Sequence, residues 1–304
     1  MKDFLKVMDL TPGEIITLIE AAKANKGERL DVLAGKTLGM IFAKPSTRTR
    51  VSFTVGAYEL GAHIMFISEN EMQLGRGETV EDTARVLSRY LDGVVIRTYN
   101  QDDLERFAAV ADIPVINGLT DDRHPCQALA DLMTISQYHD DLKNVKVVYL
   151  GDGNNVASSL ANVCAAVGAH VVICTPPELT LPDWSVAEAT QIASENGGKV
   201  EFTDDPGEAA LDADFLYTDV WFSMGQQRVP EKSLQLEPYR IDAALLALAA
   251  PDCRVMHCLP AHRGEEITAD VIDGPRSIVF QQAENRLHAQ KELLKLLMGN
   301  DAQA

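Results

Sequence analysis

Ser46-Thr47-Arg48-Thr49-Arg50 follows a short apolar run, Leu38 to Phe42, and an Ala43-Lys44-Pro45 turn. The run reads as a buried strand. Val51, Val55 and Tyr58 lie at i, i+4 and i+7 on what reads as one helix face, and Gly61 sits where that helix should stop. A strand feeding a hydroxyl-rich turn that opens a helix makes an anion site. The first backbone N–H groups lack intrahelical partners, the helix dipole is positive there, and hydroxyls and guanidinium forks complete the cradle. Taken alone, the five residues read equally well as an N-cap followed by two solvated arginines. The rest of the chain decides between these readings.

From about Gly35 to Gly118, strand-like runs (Leu38–Phe42, Ala62–Ile67, Gly93–Arg97, Val115–Ile116) alternate with helical patterns (Thr49–Leu60, Thr79–Tyr90, Asp102–Ala111). That is the rhythm of a parallel sheet covered on both faces. A helical stretch, Gln127 to His139, leads into a second series: Val145–Leu150, a helix to about Val167 stopped by Gly168, then Val171–Cys174, Phe215–Thr218 and Arg254–Cys258. Ala283 to Met298 reads as a long amphipathic helix. The pattern predicts an α/β protein of two doubly wound parallel-sheet domains joined by linking helices, with ligands at the C-terminal ends of strands. The expected domains are residues 1–135 with 285–304, and residues 136–284.

At 304 residues and 46% hydrophobic, the chain is long enough for two cores. No apolar run approaches the roughly 20 residues of a membrane span. Asp3, Asp9 and Glu14 come early, and neither an apolar signal core nor a transit-peptide composition precedes them, so a cytoplasmic location is expected. The five cysteines form no C-x-x-C pair, and the seven histidines form no H-E-x-x-H pattern, which argues against a disulfide framework or a metal site. A net charge of −18 argues against nucleic-acid binding. Any anionic substrate must therefore be held by a local arginine cluster against the global field.

Further polar groups fall at strand ends. Arg97 closes one strand, and His124-Pro125-Cys126-Gln127 precedes a helix, so His124 and Gln127 can face one site. His124 alone reads more readily as a capping or packed histidine. Gly151-Asp152-Gly153-Asn154-Asn155-Val156 resembles a dinucleotide fingerprint, but Val156 stands where close packing wants glycine or alanine, and Thr175-Pro176-Pro177 follows the next strand in place of a carboxylate. A dehydrogenase is therefore disfavoured. Asp219 ends another strand shortly before Ser223-Met224-Gly225; it reads either as a cap or as a carboxylate for an ammonium group. His257-Cys258-Leu259-Pro260 ends the last, where an inert buried cysteine is the plain reading.

Together, Ser46 to Arg50, His124 to Gln127, Asp219 with Ser223-Met224-Gly225, and His257 to Pro260 resemble, in order, the signatures of the ornithine carbamoyltransferases. The first two are shared with the wider carbamoyltransferase superfamily; the last two point to the ornithine branch. Ala283 to Gln290 is similar to the family's closing helix.

The resemblance implies that Ser46, Thr47, Arg48, Thr49, Arg50, Arg97, His124, Gln127 and Arg286 bind carbamoyl phosphate, with Gln73 of Met72-Gln73-Leu74-Gly75 reaching in from a neighbouring subunit. It implies that Asn155, Asp219, Ser223 and Met224 bind L-ornithine, and that Cys258 and Leu259 lie between the substrates. Arg97, His124, Asp219 and Cys258 are the implied catalytic residues. The implied products are citrulline and phosphate, made without a metal or organic cofactor by a homo-oligomer, a trimer or a multiple of trimers. The chain departs from the family's Asn-Asn-x-x-His-Ser or Asn-Asn-x-x-Asn-Ser pattern at Ser158, which is expected to loosen support of the ornithine loop. A carbamoyltransferase for another amine, such as putrescine, and a non-catalytic ligand-sensing relative are the alternatives. Ser223-Met224-Gly225 counts against the first, because a diamine offers no carboxylate. The full set of anion and amine groups counts against the second.

Overall fold

The computed structural model describes residues 3–68, 77–223 and 227–299. Gln73, Met224 and Gly225 lie outside the described residues. The chain divides into two compact units, Met1–Met133 with Asn285–Ala304, and Thr134–Glu284.

The first unit opens on α1 (Pro12–Ala24), whose Thr11 cap and Glu14 form a reciprocal capping box ahead of a proline at the first helical position. Four strands follow: β1 (Thr37–Phe42), β2 (His63–Ser68), β3 (Gly93–Arg97) and β4 (Val115–Leu119). They are linked by α2 (Thr47–Glu59), α3 (Val80–Leu87) and α4 (Gln101–Val110). All four strands are parallel, in the order β2-β1-β3-β4. Strand order therefore reverses between β1 and β3, and Ala43 N–H donating to Arg97 C=O at 2.9 Å ties the ends of these two strands together. Ile41, Val94, Ile96, Leu104, Phe107 and Val115 share one buried cluster over the sheet.

The chain passes between the units within α5 (Pro125–Ile135) and α12 (Val279–Met298). The second unit contains β5 (Lys146–Leu150), α6 (Asn155–Ala166), β6 (His170–Cys174), α7 (Asp183–Asn196), β7 (Lys199–Thr203), α8 (Pro206–Ala210) and β8 (Phe215–Thr218). The short helices α9 (Pro230–Leu236) and α10 (Ala243–Leu246), the strand β9 (Arg254–His257) and α11 (Ala269–Ile272) complete it. Its sheet is parallel throughout, in the order β7-β6-β5-β8-β9. Order reverses between β5 and β8, where Thr218 Oγ1 donates to Leu150 C=O at 2.7 Å.

Fold class follows the pattern in the sequence, with differences at the edges. β7 and the helices α1, α7, α8, α9, α10 and α11 were not expected. β7 is the outermost strand of its sheet, and its half-exposed Lys-Val-Glu-Phe-Thr carries little apolar signal. α12 begins at Val279 rather than Ala283, because Val279 packs into the second unit's core and extends the helix against its propensity. α3 ends at Leu87, where Ser88 turns its hydroxyl back to Ala84 C=O at 2.7 Å.

Candidate active site

In the first unit the polar groups gather where strand order reverses. Ser46 caps α2 in an extended conformation, and its hydroxyl accepts from Thr49 N–H at 3.2 Å. Thr49 is buried and its hydroxyl faces α12, where Arg286 Nη2 donates to it at 2.9 Å. Arg286 Nη1 donates to Gln127 Oε1 at 2.7 Å, and Gln127 Nε2 donates onward to Asp131 Oδ1 at 2.8 Å. The Gln290 amide closes this net, its oxygen accepting from Arg286 Nε and Nη2 at 3.0 and 2.9 Å. These partners of the Arg286 fork are uncharged, so it is held in place without losing its charge.

His124 lies at the mouth of α5 with 5% of its surface exposed. Burial holds its pKa well below the ordinary imidazole range, and the charges of Arg286, Arg97 and Arg48 push the same way. The ring is therefore neutral at pH 7, in the field of three guanidinium groups. Next to it, burial raises the Cys126 thiol to about 12, and that thiol donates to Asn117 C=O at 3.3 Å, which is a packing role.

Arg50 is placed differently from Arg48, Arg97 and Arg286. It is exposed and lies over the Phe66 ring of β2 at 4.0 Å, a cation–π contact outside the group acting on His124. Sequence reading also passed over Lys44. This buried lysine pairs with Asp121, sits 4.2 Å from the Tyr99 ring, and fixes the turn before Ser46.

The second unit holds a different set. Both oxygens of the buried Asp219 are engaged: Cys258 Sγ donates to Oδ1 at 2.8 Å, and Asn154 Nδ2 donates to Oδ2 at 2.9 Å. Cys258 is half-buried, whereas the other four cysteines are buried. Asn155 is the first residue of α6, next to this carboxylate's partner, and Ser223 is half-buried on the loop after Asp219. Leu259 follows Cys258 with φ of +57°, a left-handed backbone that leucine rarely adopts. The fully buried His257 holds it there. Its Nδ1 accepts from Leu259 N–H at 2.8 Å, which leaves Nε2–H to donate to the buried Glu266 Oε1 at 3.1 Å.

Beneath Asp219, Tyr149 donates its hydroxyl to Asp152 C=O at 3.0 Å. Burial raises the Tyr149 pKa well above its ordinary value, and the charges of Asp219, Asp152 and Cys258 add to this. Burial also raises the Asp152 carboxyl, opposed by Lys232, whose Nζ lies 2.7 Å from Asp152 Oδ2. Sequence reading named none of Tyr149, Asn154 or Lys232 as site residues. Only Asn154 carried a signal, as an N-cap residue type directly before a helix. Ser158, at the departure from the family pattern, is buried and accepts from Ser185 Oγ at 2.7 Å.

Among the described residues, two groups of potential metal donors lie with their ligand atoms within 4.8 Å of one another, Asp219-His257-Cys258 and His262-Glu265-Glu266. In the first, the donors are occupied by one another and by Leu259 N–H. In the second, Glu265 pairs with Arg228 at 2.6 Å, and Glu266 Oε1 accepts from His257.

Residues 2–137 match the family model of the aspartate/ornithine carbamoyltransferase carbamoyl-P binding domain, and residues 143–297 match that of the Asp/Orn binding domain. The ornithine carbamoyltransferase of Bacillus thuringiensis subsp. konkukian (strain 97-27) is 55% identical over 296 residues, 96% of this chain and 93% of that protein. That of Bacillus cereus (strain AH187) is 54% identical over 302 residues, 98% of this chain and 95% of that protein. Among solved structures, ornithine carbamoyltransferase from Pyrococcus furiosus superposes with a TM-score of 0.95 at 51% identity, covering 98% of this chain and 97% of that one. The enzyme from Gloeobacter violaceus superposes with a TM-score of 0.90 at 48% identity, covering 98% and 99%.

Proposed function

This chain belongs to the aspartate/ornithine carbamoyltransferase family, and we propose from that premise how its two sets of residues divide the work of carbamoyl transfer. The chain is a transferase that moves the carbamoyl group of carbamoyl phosphate to ornithine. The products are L-citrulline and phosphate. The reaction serves arginine metabolism in the cytoplasm.

The observation that carries the division of roles is the neutral, buried His124 among the charges of Arg48, Arg97 and Arg286. Carbamoyl phosphate is a dianion. Three guanidinium groups and the N-terminus of α2, with Ser46, Thr47 and Thr49, hold its phosphate and stabilise the charge that builds on it as the C–O bond breaks. Arg97 and His124 polarise the carbamoyl carbonyl. A neutral imidazole can donate a hydrogen bond there without adding a fourth positive charge. Gln127 orients Arg286 and lies beside the carbamoyl amide. Arg50 is assigned to the Phe66 stack rather than to the phosphate.

Asp219, Asn155, Ser223 and Met224 hold the α-amino acid end of ornithine. Cys258 helps position and deprotonate the δ-amine, and Leu259 presents backbone groups on the strained turn that follows. The amine nitrogen bonds to the carbamoyl carbon, phosphate leaves, and the amine gives up a proton.

The assembly is a homotrimer or a multiple of trimers, with Gln73 completing a neighbour's site. Support comes from the first unit's outer face, where Val51 and Tyr58 of α2 are 54% and 61% exposed and Met65 and Phe66 of β2 are 46% and 40% exposed. Mixing Gln73→Ala and Arg48→Ala subunits tests the shared site: activity should reappear in mixed trimers. Inactive mixtures of subunits proven to exchange would rule it out.

The chemistry itself is tested with 13C-carbamoyl phosphate and δ-15N-ornithine. A product showing one-bond 13C–15N coupling supports δ-transfer. A product labelled at the α-amine, or none at all, contradicts it.

A further inference from the structure

Asn154 is doubly committed. Its Oδ1 accepts from Val156 N–H at 2.9 Å and Ala157 N–H at 3.1 Å, which caps α6. Its Nδ2 donates to Asp219 Oδ2 at 2.9 Å. The two ends are not interchangeable. Two backbone donors face one end of the amide and a carboxylate faces the other, so only one orientation satisfies every group. The backbone on either side is equally constrained, with Asn154 N–H donating to Asp152 C=O at 2.8 Å and Gly153 N–H to Leu179 C=O at 2.8 Å.

Asp219 receives a second donor, Cys258 Sγ, on its other oxygen at 2.8 Å. The carboxylate is thus gripped from the β5–α6 turn and from the end of β9, and one rotamer is selected. Each oxygen keeps a further lone pair for a substrate ammonium.

We propose that Asn154 is a positioning residue for ornithine, which uses its helix-capping role to aim an amide N–H at Asp219 and hold that carboxylate in its substrate-binding rotamer. The proposal rests on the assignment of Asp219 to ornithine. An isolated cap would leave the side chain's other end in solvent; here it is spent on the carboxylate. The two roles can be separated by chemistry. Serine caps helices about as well as asparagine, but its shorter side chain cannot carry a donor across to Asp219 while it caps, and aspartate keeps the cap while setting a carboxylate against Asp219.

The experiment compares wild type, Asn154→Ser and Asn154→Asp, each alone and in an Asp219→Ala background, with ornithine and carbamoyl phosphate varied in turn. Asn154→Ser should keep its melting temperature within a few degrees. It should lower kcat/KM for ornithine about 10- to 100-fold, and leave KM for carbamoyl phosphate within about twofold. Asn154→Asp should lose more. In the Asp219→Ala background, Asn154→Ser should change kcat/KM by less than about twofold, because the group it aims is gone. The proposal is overturned by an Asn154→Ser enzyme within about threefold of wild type, or by the same fold-loss persisting without Asp219.

Should the wild type fail to use ornithine, the functional assignment falls on that result alone, and the positioning role is then read without substrate. Cys258 is the one cysteine among the described residues that is not buried, so its alkylation by iodoacetamide can be followed selectively. Removing the Asn154 amide leaves Asp219 a stronger acceptor for the thiol proton, so alkylation of Asn154→Ser should slow several-fold. An unchanged rate contradicts the grip.

Discussion

Arg286 donates through Nη2 to Thr49 Oγ1 at 2.9 Å, joining α12 to the first turn of α2 across 237 residues of sequence. The same fork reaches Gln127 through Nη1 at 2.7 Å, so one guanidinium fixes two helix starts. Arg286→Lys keeps the charge but cannot span both acceptors. It should lower kcat/KM for carbamoyl phosphate by about 2–4 kcal/mol, roughly 30- to 1000-fold, as read from initial rates with carbamoyl phosphate varied. Retention of wild-type efficiency would show that the fork does not set the geometry of the phosphate site.

His124 gives a pH prediction whose sign can be worked out. Its pKa in the fold lies below the unfolded value, so below about pH 6.5 the unfolded chain binds a proton that the folded chain does not. The stability held by the neutral ring is therefore fully present above pH 6.5 and is lost as pH falls below it. The slope per group is about 1.4 kcal/mol per pH unit. Urea denaturation of wild type and His124→Gln between pH 5 and 8 should show a shallower acid decline in the variant. Parallel curves would mean that His124 protonates readily in the fold.

Lys291 is buried, with 1% of its side chain exposed, and donates to Asn25 C=O, Glu28 C=O and Glu59 Oε2 at 3.1, 2.6 and 2.9 Å. It ties α12 to the segment following α1 and to the last residue of α2. Lys291→Met removes the charge but strands a partly buried carboxylate and two carbonyls, and should cost about 3–5 kcal/mol. Chemical denaturation checks this. A loss under about 1 kcal/mol would mean that water replaces all three contacts.

Gly153 has no room for a side chain. A Cβ there would lie 2.4 Å from Thr180 C, 2.5 Å from Leu179 O and 2.6 Å from Leu181 N, all of them backbone atoms. Gly153→Ala should displace the turn that carries Asn154. KM for ornithine should rise at least about tenfold, with KM for carbamoyl phosphate changed much less. Equal effects on both constants would indicate general unfolding instead.

Much of this was legible in the sequence because parallel strands are continuous apolar runs and the phosphate-type turn has its own chemistry. Ser46, Thr49, Arg97, His124 and Gln127 sit at strand ends or helix starts, where spacing alone places them. What stayed hidden is what sequence spacing does not encode. Arg50 is one residue past Thr49 on a helix, so its side chain leaves on another face and meets Phe66, whose position depends on strand pairing. Asn154 caps α6, and its second bond exists only because β8 lies beside β5 and brings Asp219 within 2.9 Å. Ser158, read as weakening the ornithine loop, points to Ser185 of α7, a helix not expected from the sequence.

The central claim is that the chain carbamoylates ornithine and reads its α-amino acid end through Asp219. The most direct measurement sets ornithine and putrescine side by side as acceptors at saturating carbamoyl phosphate, with kcat/KM determined for each. A site built for a charged ammonium and carboxylate leaves its polar groups unpaired against a diamine, so ornithine should be preferred by about a thousandfold or more, roughly 4 kcal/mol. That preference should shrink in Asp219→Ala. Equal efficiency with putrescine in the wild type would contradict the claim.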